Sequence, residues 1–210
     1  RFLEFTHDSP DDCDEYVGEI FGGSNDAPVI GEVVTTLACG EGHYGQFYGG
    51  ANNADIMGNV TLNVEGGTVE YLYGGSKGNA QTPANILAYT AEAIAQYHLD
   101  STLVNTGGNV TVNLYGGTLE NVFGGSNING NIEGLITVNV LDKETPNCQL
   151  DVHNIYGASN QTPYTPNDIL VNNQHQKPIS PVVNVIHIAQ ERGVRKNVFG
   201  GGMGYTATVI

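Results

Sequence analysis

Apolar and polar residues alternate strictly through Val60-Thr61-Leu62-Asn63-Val64, Val110-Thr111-Val112-Asn113-Leu114 and Ile136-Thr137-Val138-Asn139-Val140. Period-two alternation sets the Val/Leu/Ile residues on one face of a strand and the Thr/Asn residues on the other. A second pattern recurs beside it: an apolar residue, an aromatic, two small residues, then a third. It reads Ile20-Phe21-Gly22-Gly23-Ser24, Phe47-Tyr48-Gly49-Gly50-Ala51, Leu72-Tyr73-Gly74-Gly75-Ser76, Val122-Phe123-Gly124-Gly125-Ser126, Ile155-Tyr156-Gly157-Ala158-Ser159 and Val198-Phe199-Gly200-Gly201-Gly202. Six copies in 210 residues mark a chain of repeated supersecondary units. The aromatics lie 27, 25, 50, 33 and 43 residues apart. The shortest intervals, and half the longest, converge on a unit of about 25 residues, in the solenoid range.

Counted from each aromatic, further positions align. Four before it stand Val17, Tyr44, Val69, Leu119, Val152 and, in the last copy, Arg195 with Val194 one step away. Immediately before it the residue is always apolar. Eight to nine after it come Ile30, Ile56 and Ile132, a second apolar point, and the alternating strands supply a third. Three inward faces joined by Gly-rich corners describe one coil of a right-handed parallel β-helix, an all-β solenoid whose coils stack about 4.8 Å apart. The Gly-Gly pairs, with Gly66-Gly67 and Gly116-Gly117 at another corner, supply the positive φ of tight turns. Asn25, Asn52, Asn127 and Asn160 fall four after the aromatic, where stacked amides can bond along the axis as a ladder. A left-handed helix with its roughly six-residue period is not seen, nor is the calcium β-roll repeat. A propeller with blades of roughly 40–50 residues leaves the short intervals unexplained.

Residues 1–210 therefore read as a single β-helix segment with an acidic N-terminal stretch, residues 1–15, and two insertions, about 78–107 and 161–181. The first is Ala-rich; Thr82 as N-cap and Pro83 at the first helical position predict a short helix on the solenoid flank. The second holds Pro163, Pro166, Pro178 and Pro181 and reads as a long loop. Both open with Gln-Thr-Pro, at Gln81 and Gln161, and reach Ile-Leu at Ile86-Leu87 and Ile169-Leu170. They are expected to leave from one corner, and loops clustered on one face of a repeat protein often form its binding face. The start at Arg1 and the end inside an apparent strand, Thr208-Val209-Ile210, suggest a processed chain or a piece of a longer protein.

Composition narrows the function. The 29 glycines and the low charged fraction of 14 % suit many tight turns with Asn, Ser and Thr outside. A net charge of -15 with only seven basic residues argues against binding nucleic acid, because phosphate contacts need Lys and Arg. No run approaches the roughly 20 apolar residues of a membrane helix, and no stretch reads as a signal peptide. The charge is polarised: residues 1–50 hold ten acids and one base, residues 171–210 one acid and four bases. Such poles could stack head to tail, covering the open sheet edges of a solenoid, or simply keep both ends soluble.

Candidate chemistry is sparse. Cys13, Cys39 and Cys148 lie eight, nine and eight residues before their aromatics. Cys13 and Cys39, one coil apart, suit a disulfide; a column of buried thiols is the alternative, and Cys148, with no neighbour in an adjacent coil, is expected buried. Asp8, Asp11, Asp12, Asp14 and Glu15, with Glu19 nearby, form the densest acidic run. They are weak candidates for calcium, the one cofactor considered, although such runs are more often solvated ends. Three before the aromatic stand Gly18, Gly45, Glu70, Glu120, His153 and Lys196. Glu70 and Glu120, two coils apart if their 50-residue gap hides a full coil, could serve as paired carboxylates for glycoside hydrolysis; an outward charge ladder is the preferred reading. His7, His43, His98, His153, His175 and His187 share no ligand spacing. Tyr48, Tyr73, Phe123 and Tyr156, continued by Phe21 and Phe199, form a strip that would bind sugar rings if outward and serve structure if packed beneath the Gly-Gly corners. Their coupling to Gly-Gly favours structure.

The Gly-Asn-Val-Thr-Leu-Asn-Val run (58–64), Gly-Asn-Val-Thr-Val-Asn-Leu (108–114), Gly-Gly-Thr (66–68 and 116–118) and Asn-Val-Phe-Gly-Gly (121–125 and 197–201) resemble Gly-rich repeat surface proteins of Bacteroides-type anaerobes. These are similar in style to adhesin and autotransporter-passenger β-helices. The resemblance covers most of the chain outside the first 15 residues and the insertions. It implies secretion and a stalk, spacer or adhesin role at a bacterial cell surface, and it carries over no catalytic residue. A carbohydrate or a host or bacterial surface protein is the expected partner. The rival readings are a self-assembling extracellular filament and a carbohydrate-active β-helix, either polysaccharide lyase or glycoside hydrolase.

Overall fold

The computed structural model describes residues 16–78, 104–141, 148–186 and 193–204. These are all-β. The strands are β1 (Tyr16–Phe21), β2 (Val33–Leu37), β3 (His43–Tyr48), β4 (Val60–Tyr73), β5 (Val104–Thr106), β6 (Val110–Phe123), β7 (Gly130–Ile132), β8 (Ile136–Val140), β9 (Leu150–Tyr156), β10 (Ile169–Val171), β11 (Gln174–Gln176), β12 (Val182–Val185) and β13 (Gly193–Phe199). Nine of them form one sheet whose pairings are all parallel and follow chain order: β1-β3-β4-β6-β8-β12, with β2 on β4 and β9 between β6 and β13. A large parallel sheet built by sequential addition is compatible with a solenoid.

Equivalent residues lie in rows. Val17, Tyr44, Val69, Leu119, Val152 and Val194 are successive register partners, as are Ile20, Phe47, Leu72, Val122, Ile155 and Val198. The last copy keeps Val194 in its row because β13 carries a register shift between Val194 and Asn197, an extra residue of the kind a bulge absorbs. The second apolar point is set one residue earlier than the sequence suggests: Val29 bridges Ile56, which bridges Thr106, while Ile30 is 78 % exposed. Between the sheet's two halves the Val, Leu and Ile rows are sealed into one continuous core. A second cluster centres on Ile56, Val60, Val110, Ile132, Ile136 and Tyr164.

Strands β4 and β6 each turn a corner without leaving the sheet, at Gly66-Gly67 and Gly116-Gly117. Gly67 and Gly117 adopt φ of +77° and +100°, the left-handed region that disfavours any Cβ. Their partners Gly66 and Gly116 act differently, by clearing space for a disulfide. Cys39, between β2 and β3, is bonded to Cys148, between β8 and β9, with Cα atoms 5.7 Å apart and 109 residues between them. The expected Cys13–Cys39 pairing is therefore replaced; Cys13 itself lies outside the described residues. The physical reason is local space: Cys148, just before β9, reaches Cys39 over the Gly66 corner. A Cβ on Gly66 would stand 2.6 Å from the Cys39 Cα and 2.8 Å from the Cys148 sulfur. Glycine is thus required for the two cysteines to meet.

Both insertions leave after the same aromatic corner, as expected. Lys77 and Gly78 donate backbone N–H groups to Ala51 and Asn52, and Asn160 and Gln161 to Ser126 and Asn127. The first is shorter than 78–107, since Gly78 and β5 already sit in rows. Its expected helix falls on residues 79–103, outside the described ones. The second is not a featureless loop: β10 and β11 form an antiparallel hairpin turned by Asn172 and Asn173 at φ of 52° and 60°. Tyr164, buried in the second core cluster, donates to the Gly134 carbonyl at 2.8 Å.

Because the disulfide closes so long a loop, Cys148→Ser is expected to lower unfolding free energy by about 4 kcal/mol in urea titrations. Thiol counting on the unreduced, denatured chain should find one free cysteine of the three.

Candidate functional site

The sequence offers two columns for chemistry, one aromatic and one charged, both beginning on strands that end at the Gly-Gly corner. In the aromatic column Phe21, Tyr48, Tyr73, Phe123, Tyr156 and Phe199 stack with centroids 4.8–5.0 Å apart and planes 8–14° from parallel. That separation is the strand spacing itself, so parallel register forces ring onto ring. Tyr48, Tyr73 and Phe123 are 0–2 % exposed, and Tyr156 is half-buried. Every internal ring has both faces covered by its neighbours. The proposed sugar-binding strip of Tyr48, Tyr73, Phe123 and Tyr156 is thus a buried structural stack, leaving no internal ring face on which a sugar could lie.

The hydroxyls are served from two units further on. Asn127 donates its amide to the Tyr48 hydroxyl at 2.7 Å, Tyr48 in turn donates to Gln46, and the Asn160 side chain hydrogen-bonds Tyr73. Asn160 also donates to Asn127, at 2.9 Å. The predicted ladder thus exists as two pairs, with Asn52 donating to Asn25 at 2.7 Å, and is broken at the third unit by Lys77. There the aromatic two units earlier is Phe21, which has no hydroxyl, and Lys77 reaches Glu19 at 2.6 Å instead. The signal for this ion pair was in the sequence, as the single lysine in the asparagine column. A longer ladder was missed: Asn113, Asn139 and Asn184 donate successively to Asn63, Asn113 and Asn139 at 2.9–3.0 Å.

Burial pushes the Tyr48 hydroxyl up to about 12, against the Asn127 hydrogen bond and with help from the Glu19 charge. Tyr73 is raised as well, by burial and then by Tyr48 and Tyr71.

The charged column is an outward ladder. Thr68 and Val69 pair directly with Thr118 and Leu119, so Glu70 and Glu120 belong to neighbouring units. The 50-residue gap holds an insertion, not a hidden coil. Glu120 contacts His153 on the next unit and Lys196 on the one after, the latter at 3.2 Å. Desolvation is the largest single influence and raises the Glu120 carboxyl, but Lys196 and His153 together outweigh that and hold it below the usual range. A general acid needs the opposite shift. Its carboxylate is 45 % exposed, without the enclosure that glycosidic chemistry uses.

Asp8, Asp11, Asp12, Asp14 and Glu15, the calcium candidates, lie outside the described residues, as do His7, His98 and His187. Among the described residues no group of three or more His, Cys, Asp or Glu could hold a metal ion, and no helix is long and apolar enough to cross a membrane. An open hollow of about 530 Å³ lies beside the second insertion, lined by Thr165, Pro166, Asn167, Asp168, His175 and Lys177. Its one cation is engaged by the Pro166 carbonyl and by Asp168, both at 3.2 Å. Comparison with protein-family models, curated proteins and solved structures returned no match.

A group whose folded pKa lies above its unfolded value stabilises fully below the unfolded pKa and loses that contribution as pH rises through the folded one. Stability is therefore expected to fall from pH 10 upward through about 12 as Tyr48 is forced to ionise. Tyrosinate absorbance followed alongside circular dichroism should show these hydroxyls ionising together with unfolding. Asn127→Ala should cost about 1 kcal/mol and bring that alkaline transition to lower pH.

Proposed function

We propose that this chain is a non-catalytic extracellular module, a right-handed parallel β-helix of about 25-residue coils, acting as stalk, spacer or adhesin at a bacterial cell surface. The observation that carries this reading is where the polar groups go. The side chains with the strongest chemistry are consumed along the axis: Glu120 by His153 and Lys196, Glu19 by Lys77, and asparagine by asparagine. A surface that spends its polar groups on joining units favours a structural role over turnover. The Cys39–Cys148 bond supports an oxidising location, since disulfides persist in secreted and surface proteins.

Adhesion, where it occurs, is assigned to the side from which both insertions leave. There the hairpin β10–β11 carries exposed Ile169, Leu170 and Val171 beside the Asp168–Lys177 hollow. A surface carbohydrate or surface protein is the partner this reading implies. It requires no metal.

Incubation with acidic and neutral polysaccharides should release neither new reducing ends nor unsaturated products. Turnover by the native chain that either Glu70→Gln or Glu120→Gln abolishes would overturn the reading.

A further inference from the structure

The last unit keeps glycines for a neighbour that the described residues do not supply. In each earlier unit the first corner glycine faces the next unit's backbone. A Cβ would stand 2.5 Å from the Gly49 carbonyl at Gly22, 2.6 Å from that of Gly74 at Gly49, and 2.6 Å from that of Gly200 at Gly157. Gly200 and Gly201 occupy the equivalent places, yet among the described residues nothing comes within 4 Å of a Cβ at either. The apolar rows stop there too, with Val198 46 %, Phe199 44 % and Met203 57 % exposed.

The backbone edges at the two ends are complementary. Each corner glycine N–H donates to the next unit's aromatic carbonyl: Gly22 to Tyr48, Gly49 to Tyr73, Gly74 to Phe123, Gly124 to Tyr156 and Gly157 to Phe199, all at 2.8–2.9 Å. Among the described residues the series leaves the Gly200 N–H as a donor at one end and the Phe21 carbonyl as an acceptor at the other. The side chains match as well: β1 reads Tyr-Val-Gly-Glu-Ile-Phe with one acid and no base, and β13 reads Gly-Val-Arg-Lys-Asn-Val-Phe with two bases and no acid.

Resting on the stacked-unit reading above, we propose that β13 docks β1 of a second copy of this chain, head to tail. The register sets Val194, Asn197, Val198 and Phe199 against Val17, Glu19, Ile20 and Phe21. Gly200 N–H then donates to the Phe21 carbonyl, and Phe21 stacks on Phe199 to continue the aromatic column. The contact is heterologous and does not close on itself, so it builds rods.

The test mixes two singly substituted, differently tagged chains, Glu19→Cys and Asn197→Cys, both at exposed positions, under oxidation. Row partners lie within disulfide reach, so this mixture is expected to cross-link, while Glu19→Cys with Asn184→Cys, which belongs to another row, is not. Gly200→Val, whose Cβ meets nothing among the described residues, should abolish cross-linking and any concentration-dependent sedimentation while leaving the melting temperature unchanged. Gly157→Val should lower that temperature sharply. Monomeric sedimentation of the native chain at every concentration, or self-association undiminished by Gly200→Val, would overturn the docking alone. Tolerance of Gly157→Val would overturn the stacked-unit reading beneath it.

Discussion

One approach distance governs this molecule: the carbonyl oxygen of each corner glycine comes to 2.3–2.6 Å from where a Cβ would stand on the corner glycine of the unit before it. No side chain fits in that gap, so the corner must be glycine wherever another unit follows. Once it is, the amide of that glycine bonds the carbonyl one residue earlier, that of the next unit's aromatic, at 2.8–2.9 Å. Everything else inherits its register from this contact. The apolar rows fall into line, the asparagines meet their own kind, and the aromatic rings lie flat upon one another because the strand spacing leaves them no alternative.

The aromatic column also explains why Tyr and Phe are not interchanged at random. Tyr48 and Tyr73 sit where an asparagine two units later can reach their hydroxyls. Phe21 sits where that reaching residue is Lys77, which takes a carboxylate instead. A buried hydroxyl without a partner is costly, so the choice at each ring is tied to a residue 79 positions on for Tyr48 and 58 positions on between Glu19 and Lys77. The unit is therefore not a self-contained piece of chemistry; its polar accounting closes only over three successive units.

Much of this was legible in the residues. The Val-Thr-Val-Asn alternation and the aromatic-Gly-Gly corner gave strand, turn and row assignments that agree with the pairings from Val17 to Val194 and from Ile20 to Val198. What failed was whatever depended on loop length. Fifty residues between Tyr73 and Phe123 resemble two units, but an insertion occupies the difference, so the spacing of Glu70 and Glu120 was misjudged. Val29 and Ile30 compete for one apolar slot, and a sequence pattern cannot say which of two adjacent residues turns inward. The Cys39–Cys148 bond was hidden for a related reason: its cysteines stand 109 residues apart, and only the missing side chain of Gly66 makes room. The candidate chemistry fared differently. The preferred readings of Tyr48 as structural and of Glu120 as part of an outward ladder agree with the contacts, but the partners that fix those roles stand 25–79 residues away.

The same covalent bond alters how the protein would respond to being pulled. Tension applied along the polypeptide would run from residue 39 directly to residue 148, bypassing everything between them. At about 3.4 Å per extended residue, roughly 370 Å of contour length is withheld from extension. The central units, which hold the best-buried rows, could not be peeled away one at a time, and only the outer rows on either side would yield. Reduction by a thiol would release that reserve in a single step, turning a short stiff link into a long compliant one.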